Sequence, residues 1–321
     1  MLSSRFFRVT RKRPCKICRH STWCTYTETT AFCMRVYAGS FGTAKNGAHL
    51  HSVVVPVNTA RVSDLVLHHD SPRASDEHLD LVYSSFLGFL SLSEAHAKSL
   101  LDRGLSKSAI QSDCYRSAPT RELTIEVVKN IKHLGLQGVP GFFKRDGEWV
   151  MTTVPVGILI PVRTSTNKIY GIQIRLDDPA RGSRYIWFSS SRHPSGTSSG
   201  APVHWSKPGR IATHNESLLT EGALKANVIS HFLGIPVIAA AGVRSFGTNF
   251  ANSIKAAYAN ITVIICFDSD WRSKEEIRNA LKALRRQLTD SGVQWRVRCW
   301  PSEYKGYDDY LLTHFGSEVA A

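Results

Sequence analysis

The chain has 321 residues, 42% of them hydrophobic and 21% charged, which is typical of a globular protein long enough for two domains. Its apolar runs are too short to span a bilayer, and its basic N-terminus lacks the apolar block of a secretory signal. We therefore expect a cytoplasmic protein with no membrane partner. The net charge of +14 favours a nucleic-acid partner, although a well-solvated surface can also be basic.

A basic arm at the N-terminus leads into a cluster of cysteines, with the spacing Cys15-x₂-Cys18-x₅-Cys24-x₈-Cys33. Clustered cysteines in an intracellular chain indicate a bound metal rather than disulfides. Four thiolates can close a tetrahedral structural Zn²⁺ site, and His20 is an alternative to Cys24 as the fourth ligand. The competing interpretation is a reduced, partly ordered tail. We predict a basic arm and zinc site over residues 1–37.

The middle of the chain changes from mixed signals to helices and then to strands. Residues 38–90 carry no consistent pattern, and we interpret them as a connector. Three short helices are predicted next, over residues 92–101, 106–113 and 123–134, and glycines end the first and the third. Strand patterns follow over residues 149–154, 157–163, 168–176 and 185–189, with a turn at 164–167. These elements predict an α+β domain over residues 91–210.

From residue 217 onward strands and helices alternate. The predicted strands are residues 218–220, 236–240, 261–267 and 295–300. The predicted helices are residues 223–233, 249–259, 274–291 and 308–315. This alternation indicates an α/β domain over residues 211–321, with a mainly parallel sheet and flanking helices.

Acidic residues follow two of these predicted strands. Asp268 and Asp270 come directly after a buried apolar run, and Glu221 with Gly222 follows an earlier strand. Ligands in open α/β sheets bind at the carboxyl ends of the strands. Poorly solvated carboxylates that repel each other are compensated by a divalent cation such as Mg²⁺ or Mn²⁺. A turn with one Asp as a helix N-cap is the alternative, but it does not explain both Asp residues and Glu221.

These residues resemble the Toprim fold of bacterial primases, topoisomerases and some nucleases. Residues 239–244 and 305–311 are similar to the second-strand turn and the later acidic motif of that family, so the resemblance covers about residues 211–315. It implies catalytic and metal-binding roles for Glu221, Asp268 and Asp270. Asp308 and Asp309 match the later acidic position, and which of them faces the site is left open. Lys225 is a candidate phosphate contact or a solvated helix lysine.

The upstream strands look like the N-terminal half of the catalytic core of bacterial (DnaG-type) primases. The resemblance implies that basic residues there contact template or nucleotide phosphates, unless they form a solvated edge: Arg163, Lys168, Arg175, Arg181 and Arg184. The wider stretch from residue 92 to 141 resembles an uncharacterised Toprim family of phages and mobile elements. The cysteine cluster looks like the zinc ribbon of primases but lacks its second Cys-x₂-Cys pair.

Together these features predict a primase-like nucleotidyltransferase in phage or mobile-element replication. It is expected to join nucleoside triphosphates into short primers on single-stranded DNA, using Mg²⁺ in the Toprim site and Zn²⁺ in the ribbon. Because the sequence has no Gly-x₄-Gly-Lys-Ser/Thr phosphate loop, a replicative helicase is expected on a separate chain. The alternatives are a Toprim-type metal-dependent nuclease and a non-catalytic module that binds single-stranded DNA.

Overall fold

The computed structural model describes most of the chain: residues 6–53, 72–179, 184–206, 215–240, 250–269 and 274–319, apart from 12, 28, 37–39, 41, 45, 46 and 259. The chain divides into two compact units, Met1–His69 and Asp70–Ala321. Across these described ranges, no helix combines the length and the apolar character needed to cross a membrane.

The N-terminal unit contains an antiparallel sheet in the order β1-β2-β3-β5-β4. Its strands are β1 (Phe7–Arg8), β2 (Thr25–Tyr26), β3 (Thr30–Cys33), β4 (Gly42–Thr43) and β5 (His49–Ser52). Val9 packs against three buried cysteines, Cys15, Cys24 and Cys33. Because β3 pairs with β5, this sheet extends beyond residue 37, where we expected the ribbon to end.

Helix α1 (Asp76–Gly88) lies in the segment that we interpreted as a connector. Its buried residues follow the helical spacing of one continuous face: Leu79, Val82, Tyr83, Phe86 and Leu87. They belong to one hydrophobic core of the second unit, together with residues of a later helix and of strands that follow it. Residues 76–88 are therefore core structure rather than a connector. Charged and histidine residues on the exposed face obscured the apolar stripe.

Three further helices begin where the sequence places hydroxyl N-caps. They are α2 (Glu94–Leu101), α3 (Lys107–Ser112) and α4 (Arg121–Ile131), the last continued by a 3₁₀ turn, Lys132–Leu134. The side chains of Ser93, Ser106 and Thr120 each accept a hydrogen bond from a backbone N–H in the first turn. These bonds satisfy donors that a helix start leaves unpaired.

An antiparallel sheet in the order β11-β10-β9-β6 forms the centre of this middle domain. Its strands are β6 (Arg116–Ser117), β9 (Gly157–Arg163), β10 (Ile169–Leu176) and β11 (Tyr185–Trp187), and a separate hairpin joins β7 (Phe142–Arg145) to β8 (Glu148–Met151). The predicted turn at residues 164–167 joins β9 to β10, with Asn167 at φ 67°. Asn tolerates this left-handed conformation better than most residues.

The C-terminal domain is built on a sheet in the order β12-β14-β13-β15-β16, in which only the edge strand β12 is antiparallel. Its strands are β12 (His204–Ser206), β13 (Glu216–Glu221), β14 (Val237–Ala240), β15 (Thr262–Ile265) and β16 (Gln294–Val297). Because β12 belongs to this sheet, the domain begins before the predicted boundary at residue 211.

Helices cover both faces of this sheet. They are α5 (Ala223–Leu233), α6 (Phe250–Ala257), α7 (Glu275–Asp290) and α8 (Tyr307–Val319). Apolar residues of α6 and α7 share one core with the sheet, and those of α5 and α8 share another. This three-layer arrangement confirms the predicted mainly parallel α/β domain.

The middle and C-terminal domains share a core. Leu100 and Ile160 of the middle domain pack with Leu224 and Val228 of α5. Buried hydrogen bonds also orient the two domains. The side-chain amide of Asn227 donates to the Tyr115 hydroxyl, and its Oδ1 is hydrogen-bonded to Nε2 of His204. Burial raises the pKa of Tyr115, which keeps the phenol neutral. The two domains are thus fixed against each other.

Gly104 allows the turn after α2 to approach α5 and α8 closely. Its φ is +85°, and an added Cβ would lie 2.4 Å from the Phe232 ring. We expect Gly104→Ala to cost about 3 kcal/mol, from left-handed strain plus overpacking. Gly147→Ala is the matched control, since Gly147 has φ +84° but no neighbour within 4 Å, and it should cost about 1 kcal/mol. Thermal unfolding measures both, and equal losses would contradict this packing.

Candidate functional site

Two acids lie at the carboxyl edge of the parallel sheet. Glu221 ends β13, and Asp268 follows β15 by three residues. β13 pairs with β14 on one side and β15 on the other, so the order of the strands reverses between β13 and β15. In open α/β sheets, ligands bind outside the carboxyl ends of the strands at this kind of switch point. The predicted strand-end position of both acids is observed.

Lys225 of α5 joins these acids into one cluster. Its Nζ forms an ion pair with Asp268 and lies 3.8 Å from Oδ1 of Asp308. The Lys225 side chain is only 19% exposed and that of Asp308 only 5%. Burial alone would lower the pKa of Lys225, but the charges of Asp308, Asp268 and Glu221 outweigh it and raise the pKa. Lys225 is therefore a charged member of the cluster and not a solvated helix lysine.

The two neighbouring acids of α8 have different surroundings. Asp308 is buried and faces Lys225, whereas Asp309 is exposed and accepts a hydrogen bond from the backbone N–H of Gly306 at 3.0 Å. Burial raises the pKa of Asp308, and Asp309 and Asp268 raise it further against the opposing effect of Lys225. Of these two acids, Asp308 is therefore the one that faces the cluster, while Asp309 stabilises the start of α8.

The loop before α8 lies close against the cluster. The backbone N–H of Ser269 donates to the Lys305 carbonyl at 2.8 Å. At Gly306, an added Cβ would lie 2.1 Å from Oδ1 of Asp308 and 3.1 Å from Nζ of Lys225. The lack of a side chain at Gly306 is therefore what allows Asp308 and Lys225 to occupy their places.

Arg103, which we did not single out as a site residue, extends the cluster towards the middle domain. It lies in the turn after α2, and its guanidinium is 3.7 Å from Oδ2 of Asp308. Burial, with the positive charges of Arg103 and Arg184, lowers the pKa of Arg175. Arg175 is thus within electrostatic reach of Arg103 and Arg184, and Arg103 is the arginine that contacts Asp308. The sequence had no local signal for Arg103, because its contact with Asp308 depends on the close packing of Gly104 against α5 and α8.

The other predicted basic contacts have different surroundings. Arg163 donates to the backbone carbonyls of Asn167 and Ser112, and Lys168 forms an ion pair with Glu77. Arg175 donates to the Ser99 hydroxyl at 3.2 Å, and Arg184 is exposed. Asp270, Arg181 and residues 241–244 of the predicted second-strand turn lie outside the described residues.

Four cysteines of the N-terminal unit lie together in a group that could hold a metal ion. The sulfur atoms of Cys15, Cys18, Cys24 and Cys33 all lie within 4.8 Å of one another, and His20 is not part of the group. Burial raises the pKa of Cys24 to about 12. Against the effect of burial, hydrogen bonds from the His20 backbone and the neighbouring thiols lower the pKa of Cys18 to about 7. A set of four thiols, three of them buried, suits Zn²⁺, which four cysteines bind in tetrahedral structural sites.

Basic and aromatic side chains surround this group. A cavity of about 420 Å³ lies beside Cys15, and its lining includes Arg13, Lys16, Arg19 and Tyr26. Trp23 is 74% exposed. The guanidinium of Arg35 donates to the Thr22 carbonyl and lies 3.6 Å from the Cys24 sulfur.

The carboxylate cluster fits a divalent cation in donor type. Glu221, Asp268 and Asp308 offer the oxygens that Mg²⁺ and Mn²⁺ prefer, and Oε1 of Glu221 and Oδ1 of Asp308 are buried. Among the described residues, however, only the four cysteines bring three or more ligand atoms within 4.8 Å of one another. The acids are instead arranged around the ammonium of Lys225.

Comparisons with known proteins show which folds this chain resembles. Residues 213–318 match a family described as a domain of unknown function (DUF3854), and no curated protein matches the chain. The zinc-binding and RNA polymerase domains of the Aquifex aeolicus primase superpose with a TM-score of 0.59 at 20% identity, covering 76% of this chain. The RNA polymerase domain of Mycobacterium tuberculosis DnaG gives 0.58 at 17% identity, covering 77% of this chain and 82% of that one.

A DnaG catalytic domain bound to single-stranded DNA is similar as well, with a TM-score of 0.51 at 16% identity over 76% of this chain and 77% of that one. The chain thus has the fold of bacterial primase catalytic cores, together with a Cys₄ group near its N-terminus. It spans only 60% of the length of the Aquifex aeolicus chain.

Proposed function

We propose that this chain is a primase-like nucleotidyltransferase, which synthesises short primers on single-stranded DNA with Mg²⁺ or Mn²⁺ held by carboxylates of a Toprim domain. The observation that carries the proposal is the gathering of Glu221, Asp268 and Asp308 around Lys225 at the switch point of a primase-core fold. We assign the catalytic and metal-binding roles to Glu221, Asp268 and Asp270, with Asp308 as the later acid.

In the proposed reaction the 3′-hydroxyl of one nucleotide attacks the α-phosphate of the next, and pyrophosphate leaves. A divalent cation bound by the carboxylates would neutralise the charge that develops on the phosphoryl oxygens. The chain's own part is positioning and electrostatics. Lys225 places a fixed positive charge beside the acids, and Arg103, Arg175 and Arg184 offer guanidinium groups to the triphosphate or template phosphates.

We propose that the N-terminal unit binds Zn²⁺ through its four cysteines and contacts the single-stranded template. The basic cavity beside Cys15 and the exposed Trp23 support this, because cationic side chains attract phosphates and aromatic rings stack on unpaired bases. We further propose that the protein works with a replicative helicase on a separate chain. Its expected location is the cytoplasm of a bacterial or phage-infected cell.

Incubation of the purified protein with end-labelled single-stranded DNA, nucleoside triphosphates and Mg²⁺ tests this function. A second label on the triphosphates follows new strands. Short triphosphate-dependent products that disappear with a chelator are expected. Shortening of the DNA without such products would favour the nuclease. Binding of DNA with neither reaction would favour the non-catalytic module.

Binding of single-stranded DNA should depend strongly on salt. Cationic side chains that neutralise phosphates release counterions, so affinity is expected to fall by at least about 10²-fold between 50 and 200 mM salt. Fluorescence anisotropy at several salt concentrations gives the slope. Arg184→Ala should reduce the slope by about one unit, whereas Arg286→Ala, which removes an exposed partner of Asp290 on α7, should leave it unchanged. A flat salt response would contradict binding through phosphates.

A further inference from the structure

The ammonium of Lys225 lies among the acids of the candidate site. Its ammonium forms an ion pair with Asp268, lies 3.8 Å from Asp308, and interacts electrostatically with Glu221. These three acids come from the ends of two neighbouring strands and from the start of α8. A positive charge at their centre reduces the repulsion that would otherwise separate them.

Two backbone segments, one at Gly222 and one at Gly306, determine the position of this ammonium. Lys225 lies one helical turn after Glu221, because Gly222 at φ +82° turns the chain from β13 directly into α5. From the other side, Gly306 approaches so closely that a Cβ there would lie 3.1 Å from Nζ of Lys225. The lysine is thus held between two backbone segments, with little of it exposed.

The distances among the acids agree with an internal cation. In the described part of the chain, Glu221, Asp268 and Asp308 do not form a group whose ligand oxygens all lie within 4.8 Å of one another. Each of them interacts with Lys225 instead. Two divalent ions held about 4 Å apart, as in two-metal phosphoryl-transfer sites, would need the region that the ammonium occupies.

We propose that Lys225 permanently supplies one of the cations of this site, so that the carboxylates bind a single divalent ion rather than a pair. The inference rests on the proposed function, since it assumes that the carboxylates bind metal. The ammonium then provides the second positive charge beside the transferring phosphate, and it needs no free metal to do so. One divalent ion and one lysine carry three positive charges, which balance the three negative charges of Glu221, Asp268 and Asp308.

Counting bound Mn²⁺ tests this stoichiometry without measuring activity. Protein with its cysteine site filled by Zn²⁺ is titrated with Mn²⁺, and free Mn²⁺ is followed by electron paramagnetic resonance. The wild type is expected to bind one Mn²⁺ per chain. Lys225→Met should bind two, because it opens the central position among the acids. Lys225→Arg keeps the charge and should bind one, as should the control Lys282→Met at an exposed position of α7.

The possible results distinguish failure of the inference about Lys225 from failure of the proposed carboxylate metal site. Two Mn²⁺ on the wild type, or one on a folded Lys225→Met, would overturn the internal cation while leaving the carboxylate metal site in place. No Mn²⁺ on the wild type would overturn the metal site and the inference with it. If circular dichroism shows that Lys225→Met does not fold, the counts for the wild type and Lys225→Arg decide.

Discussion

Asp268→Asn is expected to reduce primer synthesis by at least about 10³-fold, the largest effect of any single substitution in this site. Asparagine keeps the size of the side chain but removes the charge that binds a cation and pairs with Lys225. The fold should survive, because Asp268 lies at the edge of the sheet and is 15% exposed, outside the apolar cores. A decrease of a few degrees in melting temperature is expected from the lost ion pair. Product formation and thermal unfolding are measured on the same preparation.

Asp309→Asn is the matched control for this substitution. It makes the same chemical change at the residue next to Asp308, but Asp309 is exposed, and its carboxylate accepts a hydrogen bond from Gly306 at the start of its own helix. Asparagine also accepts such a bond. Near-normal synthesis is therefore expected. If Asp309→Asn were as inactive as Asp268→Asn, or if Asp268→Asn remained active, the assignment of the site acids would have to be abandoned.

Cys24→Ser is expected to reduce the zinc content from about one ion per chain to nearly none and to unfold the N-terminal sheet. Cys24, Cys15 and Cys33 make up most of the small core of this unit, so its stability is expected to depend on a bound metal rather than on apolar packing. Structural Zn²⁺ contributes about 10–16 kcal/mol of apparent binding free energy in small zinc-stabilised units. Metal analysis and DNA affinity measure the two consequences.

Two control variants test which residue completes the zinc site. His20→Ala removes the alternative ligand, and Cys114→Ser removes a half-buried cysteine of the middle domain. Both should keep one Zn²⁺, because neither residue belongs to the group of four sulfur atoms. Loss of zinc in His20→Ala together with its retention in Cys24→Ser would reverse the assignment of the fourth ligand.

The sequence was sufficient where local chemistry decides the structure. Helix α5 has the predicted bounds, because Gly222 and Gly234 mark its two ends and both adopt positive φ. Strand β9 likewise spans the predicted residues 157–163, as expected for a continuous apolar run next to a polar turn. The strand-end positions of Glu221 and Asp268 followed from the same patterns.

The sequence was insufficient where distant segments meet. The short β12 is defined by its pairing with β14, more than thirty residues later in the sequence, and it has no strong pattern of its own. The choice of Asp308 over Asp309 depends on which side of α8 faces Lys225. Arg103 reaches Asp308 only through the close approach of Gly104 to α5 and α8. None of these contacts can be predicted from the residue pattern of a single segment, because each joins residues that are distant in the sequence.

The central claim, that the carboxylates at this sheet edge bind a divalent cation, is tested most directly by anomalous diffraction from crystals soaked in Mn²⁺. The account predicts an anomalous peak about 2.1–2.3 Å from oxygens of Glu221 and Asp268, with Lys225 still within ion-pair distance of Asp308. Crystals that show no peak at this edge at millimolar Mn²⁺, with the same acids open to solvent, would contradict it.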